Sequence, residues 1–257
     1  MNAPRKTGRL YLVPTPLDFG CEVDAGLGAA LPAQTIAIAA GITNWITENA
    51  KSTRAFLKRV GDQQALAAPL QEQGITELPR QVHKKGDHDA GSFDARPLLG
   101  AALRGQDVGL VSEAGMPAIA DPGSSVVRAA HALGIEVVPL VGPISLMLAL
   151  AASGLNGQHF AFVGYLPADA AGRAQRIREL EALAQKTGQT QICIETPYRN
   201  AALLQGLLQA LKPTSRLAVA CGVTLPQQRV HSALVADWKQ RAPTLPLELP
   251  AVFLIGK

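Results

Sequence analysis

An α/β protein of two domains is what this sequence predicts, the first built on a doubly wound, mostly parallel sheet and the second on a mixed sheet. Three observations carry that expectation. The 257 residues are 47% hydrophobic and only 17% charged, enough apolar material for two cores of roughly 100 to 150 residues each. Strand-like and helix-like segments alternate through the first half with short loops between them, as βαβ units do. Late in the chain strand segments follow one another directly, which points to a mixed sheet. The Gly142-Pro143 turn divides the two patterns into 1–143 and 144–257, both α/β in content.

The elements follow in order. Leu10 to Val13 is a short apolar strand ending at Pro14, and Val23 to Leu31 has helical spacing. Ile36 to Ala40 is a second apolar run, and a helix is expected from about Thr47 to Arg59, stopped by Gly61. On that helix Lys51, Arg54 and Lys58 share one face, either solvated or in contact with an RNA backbone. Ala95 to Leu103 reads as a helix, Val108 to Val111 as a buried strand, and Ser124 to Leu133 as a helix stopped by Gly134, with Ser124 suited to the N-cap. Ile135 to Leu140 is a strand, and Ser145 to Ser153 a buried helix. Strand Phe160 to Val163 and the basic helix Ala170 to Lys186 come next. Gln191 to Ile194, Arg216 to Cys221, Arg229 to Leu234 and Ala251 to Ile255 are strands, with helix Arg199 to Leu211 between the first two.

Several functions are disfavoured at this level. No apolar run reaches the roughly 18 residues of a membrane span. The N-terminal stretch is broken by Pro14 and Pro16 rather than shaped as a signal peptide, so a cytoplasmic protein is expected. Cys21, Cys193 and Cys221, odd in number and widely spaced, fit buried reduced thiols. A formal net charge of +4 permits RNA without demanding it. There is no G-x-G-x-x-G, no G-x-x-x-x-G-K-[ST], no G-x-S-x-G and no H-E-x-x-H, which counts against dehydrogenases, kinases and common hydrolases. His83-Lys84-Lys85-Gly86-Asp87-His88-Asp89 gathers metal-binding residue types, but its spacing matches no zinc pattern. A mobile polar loop is expected there and no metal.

Ligands of open α/β sheets settle outside the carboxyl ends of the strands. Two such ends stand out. The loop Ser112-Glu113-Ala114-Gly115-Met116-Pro117-Ala118-Ile119-Ala120-Asp121-Pro122-Gly123 is rich in small residues and fixed turns, so backbone can approach a ligand closely. Val141-Gly142-Pro143-Ile144-Ser145-Leu146 feeds a helix whose first amides and Ser145 hydroxyl face the same edge.

The first of these loops resembles the S-D-A-G-T-P-x-I-x-D-P-G stretch of small-subunit rRNA (cytidine-2′-O)-methyltransferases, a group of the tetrapyrrole methylase superfamily. The likeness continues in order. Leu10 to Pro16 is similar to the family's opening strand and Val138 to Pro143 to its V-P-L-P-G-P. Ser153-Gly154-Leu155 and Phe162 to Pro167 resemble A-G-L and F-x-G-F-L-P, and Glu195 to Arg199 resembles E-S-P-H-R. Leu249 to Gly256 fits the closing strand.

The resemblance implies a two-domain tetrapyrrole methylase-like fold, a cleft between the domains holding S-adenosylmethionine, and a homodimer. It carries cofactor contacts over to Pro16, Met116, Ile119, Ser145, Leu146, Leu166, Cys221 and Ala251. The cofactor brings an activated methyl group, so the protein need only align a nucleophile, and no catalytic triad is required.

The chain departs from the pattern in four places. T-P-I-G-N-L becomes Thr15-Pro16-Leu17-Asp18-Phe19-Gly20, and A-E-D-T-R becomes Thr47-Glu48-Asn49-Ala50-Lys51. H-E-H-N-E becomes His83-Lys84-Lys85-Gly86-Asp87, and R-E-L-T-K becomes Cys221-Gly222-Val223-Thr224-Leu225. Glu48, the acid that is kept, is the candidate base. Lys51, Arg54, Lys84, Lys85 and Arg173 are candidate substrate contacts, suited to RNA phosphates or to the carboxylates of a small acidic acceptor such as a tetrapyrrole. Three readings stay open: an RNA methyltransferase, a small-molecule methyltransferase, and a catalytically altered cofactor-binding homologue.

Overall fold

The computed structural model describes residues 7–18, 26–79, 81–82, 86–87, 93–241 and 243–257. The chain divides into two compact units, Met1–Pro143 and Ile144–Lys257.

The first unit carries a five-stranded sheet of β1 (Leu10–Leu12), β2 (Asn44–Thr47), β3 (Gly74–Glu77), β4 (Val108–Val111) and β5 (Val137–Pro139), in the order β3-β2-β4-β1-β5. Every pairing is parallel. Its helices are α1 (Ala33–Gly41), α2 (Ala50–Gly61), α3 (Gly100–Leu103) and α4 (Ser124–Ala132). Side chains on a strand alternate between faces, and the two faces of this sheet have separate cores. Tyr11, Val13, Trp45 and Val111 pack with Ile36, Phe56, Leu57 and Val60 of α1 and α2. Leu10, Ile46, Val108 and Leu110 pack with Leu99, Ala102, Val126 and Ala130 on the side of α3 and α4. This is the doubly wound arrangement expected from the alternating pattern.

Gly109 of β4 lets the Trp45 ring lie against the sheet, since a Cβ there would meet Trp45 Cζ3 at 2.5 Å. The buried indole nitrogen donates to Gln73 Oε1 at 3.0 Å.

The second unit carries β6 (Phe160–Tyr165), β7 (Thr190–Glu195), β8 (Arg216–Cys221), β9 (Arg229–Leu234) and β10 (Ala251–Gly256), in the order β6-β7-β10-β8-β9. β6 and β7 are parallel, and the other three pairings are antiparallel. Helix α5 (Ser145–Ser153) covers one face, with Leu146, Ala149 and Leu150 against Ile192, Ala220 and Leu254. Helices α6 (Ala170–Thr187), α7 (Asn200–Ala210) and α8 (Val235–Gln240) cover the other, with Ile177, Leu207 and Trp238 against Val219 and Phe253. All six residues of β10 are buried, as a central strand covered on both faces requires. Cys193 and Cys221 are free, buried thiols. Burial, then the charge of Glu195, pushes Cys193 up to about 12, and burial, then Glu248, pushes Cys221 up to about 11.

Some expectations need correction. The described part of 23–31 holds only a short 3-10 turn, Leu27–Ala29. The apolar run 36–40 belongs to helix α1, which starts after Pro32, where the missing amide donor costs nothing. Thr47 ends strand β2 rather than opening a helix, and α2 begins at Ala50 because the Asn49 side chain accepts from Lys51 N and Ser52 N. Gly123 rather than Ser124 is the N-cap of α4. Helix α5 is buried on one face only, with Met147 and Leu148 exposed.

Candidate active site

Three loops leave the carboxyl edge of the first sheet, after β1, β4 and β5, and short-range contacts tie them together. Thr15 and Gly115 form an antiparallel bridge, Thr15 N to Gly115 O at 2.9 Å and Gly115 N to Thr15 O at 3.1 Å. Thr15 Oγ1 also donates to Ser112 O at 3.4 Å. After β5, Gly142 sits so close to the first loop that a Cβ would lie 2.3 Å from Pro14 Cγ, and Val141 O accepts from Thr35 Oγ1 at 2.8 Å.

The loop after β4 is the most constrained. Its backbone takes positive φ at Gly115 (78°), Ala118 (65°), Ala120 (62°) and Gly123 (136°). The two alanines lack glycine's freedom, and strain of this kind costs roughly 1–3 kcal/mol per residue, persisting only where the surroundings enforce it. What enforces it at the far end is Asp87. That carboxylate is buried and accepts from Gly123 N, Ser125 N, Ser124 Oγ and Ser125 Oγ at 2.6 to 2.9 Å, while Arg128 donates to Asp87 O. Asp87 therefore closes the amino end of α4 and is no part of a mobile loop. The rest of the supposed metal cluster, His83 to Lys85 and His88 to Asp89, lies outside the described residues, as do Cys21 and Glu22.

Asp121 is the residue that sequence reading missed. Burial, then the negative charge of Glu48, pushes its carboxyl up to about 7, with Glu113 adding to the effect. The buried Ser112 Oγ acts on it in the opposite direction, although no partner lies within good hydrogen-bonding geometry of that hydroxyl. Glu48, the first residue beyond β2, accepts from Glu113 N at 3.5 Å. The signal available in the sequence was Asp121 set between two fixed turns. Its neighbour Glu48 is distant in the chain and could not be paired with it by inspection.

The other expected positions divide by unit. Pro16 is buried in the first loop, Met116 is half-buried, and Ile119 is 40% and Val141 71% exposed at the same sheet edge. In the second unit Ser145 is the half-buried first residue of α5. Leu146, Leu166, Cys221 and Ala251 are buried. Leu166, Cys221 and Ala251 share one core cluster and Cys221 pairs with Ala251, whereas Leu146 belongs to the cluster on the opposite face of that sheet. Their side chains are committed to packing, so backbone groups are what they can offer a ligand. Lys51 and Arg54 are exposed on α2. Arg173 is half-buried, donates to Ala168 O at 3.0 Å and lies over Gly206. Lys84 and Lys85 are outside the described residues. Among the described residues no group of three or more His, Cys, Asp or Glu is arranged to hold a metal ion.

Two constrained loops at a parallel sheet's carboxyl edge, with apolar side chains presented between them, suit a nucleoside ligand. The model of the Tetrapyrrole (Corrin/Porphyrin) Methylases matches residues 45–238. The chain belongs to this family. Ribosomal RNA small subunit methyltransferase I of Escherichia coli O157:H7 is 29% identical to this methylase over 92% of the chain and 72% of its own length. The protein of the same name from Pseudomonas aeruginosa is 35% identical over 66% of the chain and 58% of its own length, so the match spans less than two thirds of that relative. Among solved structures, the methyltransferase CobJ superposes with a TM-score of 0.54 at 19% identity, covering 98% of this methylase and 95% of CobJ, a likeness of fold.

Proposed function

We propose that the chain is an S-adenosylmethionine-dependent methyltransferase acting on small-subunit ribosomal RNA, with a ribose 2′-hydroxyl as acceptor, working as a homodimer in the cytoplasm. The observation that carries this reading is the loop after β4, held in strained conformation by Thr15 at one end and Asp87 at the other. Strain kept at a sheet's carboxyl edge marks a loop shaped for a ligand rather than for a connection. S-adenosylmethionine fits what is there: the Gly142 approach leaves no room for a side chain, and Met116 and Ile119 offer apolar contact. Bound there, the cofactor supplies an electrophilic methyl group on a sulfonium.

The residues that would hold it are Pro16, Met116 and Ile119 in the first unit and the Ser145 hydroxyl in the second. Backbone groups at Leu146, Leu166, Cys221 and Ala251 complete the set. Lys51, Arg54, Lys84, Lys85 and Arg173 are the cations for RNA phosphates, and their contribution falls with salt. Relatives named as rRNA methyltransferases at 29% and 35% identity favour RNA over a tetrapyrrole or another small acidic acceptor. No helix among the described residues is long and apolar enough to cross a membrane.

The test is calorimetry with S-adenosylmethionine followed by transfer of a tritiated methyl group to small-subunit rRNA. Saturable binding and label on a ribose are expected. Binding with label only on a porphyrinoid acceptor would overturn the substrate, and no binding would overturn the cofactor and leave a catalytically altered homologue.

A further inference from the structure

Strand register decides which side chains meet beyond β2 and β4. Thr47 pairs with Val111, and Glu48 N donates to Val111 O at 3.4 Å, so Glu48 and Ser112 leave neighbouring strands side by side. Glu113 N turns back to Glu48 Oε2 at 3.5 Å. The loop then reverses through Ala118 and Ala120, both at positive φ, and brings Asp121 within the field of Glu48 and Glu113. Ser112 Oγ, 96% buried and without a partner at hydrogen-bonding geometry, acts on the same carboxyl. A buried hydroxyl left unpaired beside three acids is unusual, because an unmet polar group is costly, and a polar ligand atom would satisfy it.

We propose that Asp121 is the general base of the transfer, that the Ser112 hydroxyl orients the acceptor oxygen, and that Glu48, side by side with Ser112 at the strand ends, is a positioning residue for Asp121. This rests on the reading of the chain as a methyltransferase with an oxygen acceptor. The balance is simple. A bond forms between the acceptor oxygen and the methyl carbon, the carbon–sulfur bond breaks with its electron pair staying on sulfur, and the hydroxyl proton passes to the Asp121 carboxylate and then to water. Burial and the charges of Glu48 and Glu113 place that carboxyl at about 7, near the value at which a base is half available and still strong enough to pull. Glu48, chosen from the sequence as the base, becomes the group that tunes it. Asp87, at the next turn, is occupied by the start of α4.

The experiment compares wild type, Asp121→Asn and Glu48→Gln for S-adenosylmethionine affinity by calorimetry, methyl transfer to small-subunit rRNA as a function of pH, and the Asp121 carboxyl titration by carbon-13 NMR. Asp121→Asn should lower kcat about 100-fold or more with cofactor affinity unchanged. Glu48→Gln should move the acid limb of the profile and the Asp121 titration together to lower pH, with a plateau that falls less than in Asp121→Asn, because a weaker base pulls less. Labelled RNA with an unaltered profile in Asp121→Asn, or abolition by Glu48→Gln alone, would overturn the assignment while the methyltransferase reading stands. A wild-type chain that binds cofactor and labels no RNA would remove that reading, and the base assignment with it.

Discussion

Asp87→Ala tests whether the loop after β4 is held from its far end. The Asp87 carboxylate is 2% exposed; Oδ2 accepts from Gly123 N, Ser125 N and Ser125 Oγ, and Oδ1 from Ser124 Oγ. With the carboxylate gone, the two seryl hydroxyls can turn to other acceptors, but the two amides cannot. Each buried amide left unpaired costs about 1–3 kcal/mol, so a loss near 4 kcal/mol is expected, a large share of the 5–15 kcal/mol typical of a folded domain. Asp87→Asn keeps one acceptor oxygen at the amides and should cost about 1–2 kcal/mol. Burial alone would raise this carboxyl, yet the hydrogen bonds from Ser125, Ser124 and Gly123 outweigh it and hold it below the usual carboxylate value. A depressed carboxyl contributes stability above its unfolded value and loses it as pH falls through the folded one, so the difference between wild type and Asp87→Ala should shrink as pH falls below the ordinary carboxylate range. Urea unfolding reads this out. Of the two tryptophans, Trp45 lies in the first unit and Trp238 in the second, so a Trp238→Phe background makes Trp45 the reporter. A loss under about 1 kcal/mol at pH 7, or a difference that does not shrink in acid, would refute the anchoring role.

Gly142→Ala would set a methyl group against the Pro14 ring, which cannot yield, so the loops after β1 and β5 must part. Destabilisation of about 1–3 kcal/mol and at least a roughly tenfold weaker affinity for S-adenosylmethionine are expected by calorimetry; unchanged affinity would separate these loops from the cofactor. Ser145→Leu, at the half-buried first residue of α5, should abolish cofactor binding with the circular dichroism spectrum preserved, and retained binding would take Ser145 out of the site. Asp121→Asn should raise the melting temperature above pH 7. The Asp121 carboxyl is raised to about 7, so its contribution to stability is present below about pH 4 and is lost as pH rises through about 7, when the charge must sit beside Glu48. Equal melting curves for the two proteins at pH 8 would contradict that.

Much of the scaffold was legible because its signals are local. Val108 to Val111 is a short run of β-branched and apolar residues bounded by Asp107 and Ser112, and it is a fully buried central strand. Gly134, Gly154 and Gly188 follow α4, α5 and α6 at positive φ. Where the reading failed, tertiary context decided. β2 has polar Asn44 and Thr47 at its ends, and β3 is an edge strand with three of four residues exposed, so neither shows an apolar run. Ile36 and Ile38 alternate with smaller residues, which masks the helix that Pro32 starts. Within the site, glycine and proline spacing identified the loops. The state of Asp121 was not legible, because charges from elsewhere in the chain set it.

The departures from the family pattern also look different in three dimensions. Asn49 stands where the pattern has Asp, and it caps α2 through the same kind of short acceptor side chain. Lys51, where the pattern has Arg, keeps an exposed cation on that helix. Asp87 ends the altered H-E-H-N-E stretch and still provides a carboxylate, here bound to the start of α4. Asp18 replaces the glycine of the first loop and is held by Arg59 of α2, a contact the glycine could not make. Asn49, Asp87 and Asp18 therefore each keep or add a restraint on the sheet edge, so a departure from the family pattern in these stretches is not by itself a loss of the site. A chain drifting out of use would not be expected to keep two alanines strained and bury an unpaired Ser112 hydroxyl beside Asp121, since each lowers stability. Those costs are explained if the acids and the hydroxyl act on a bound acceptor, and the altered residues then change how that acceptor is recognised while leaving the transfer chemistry in place.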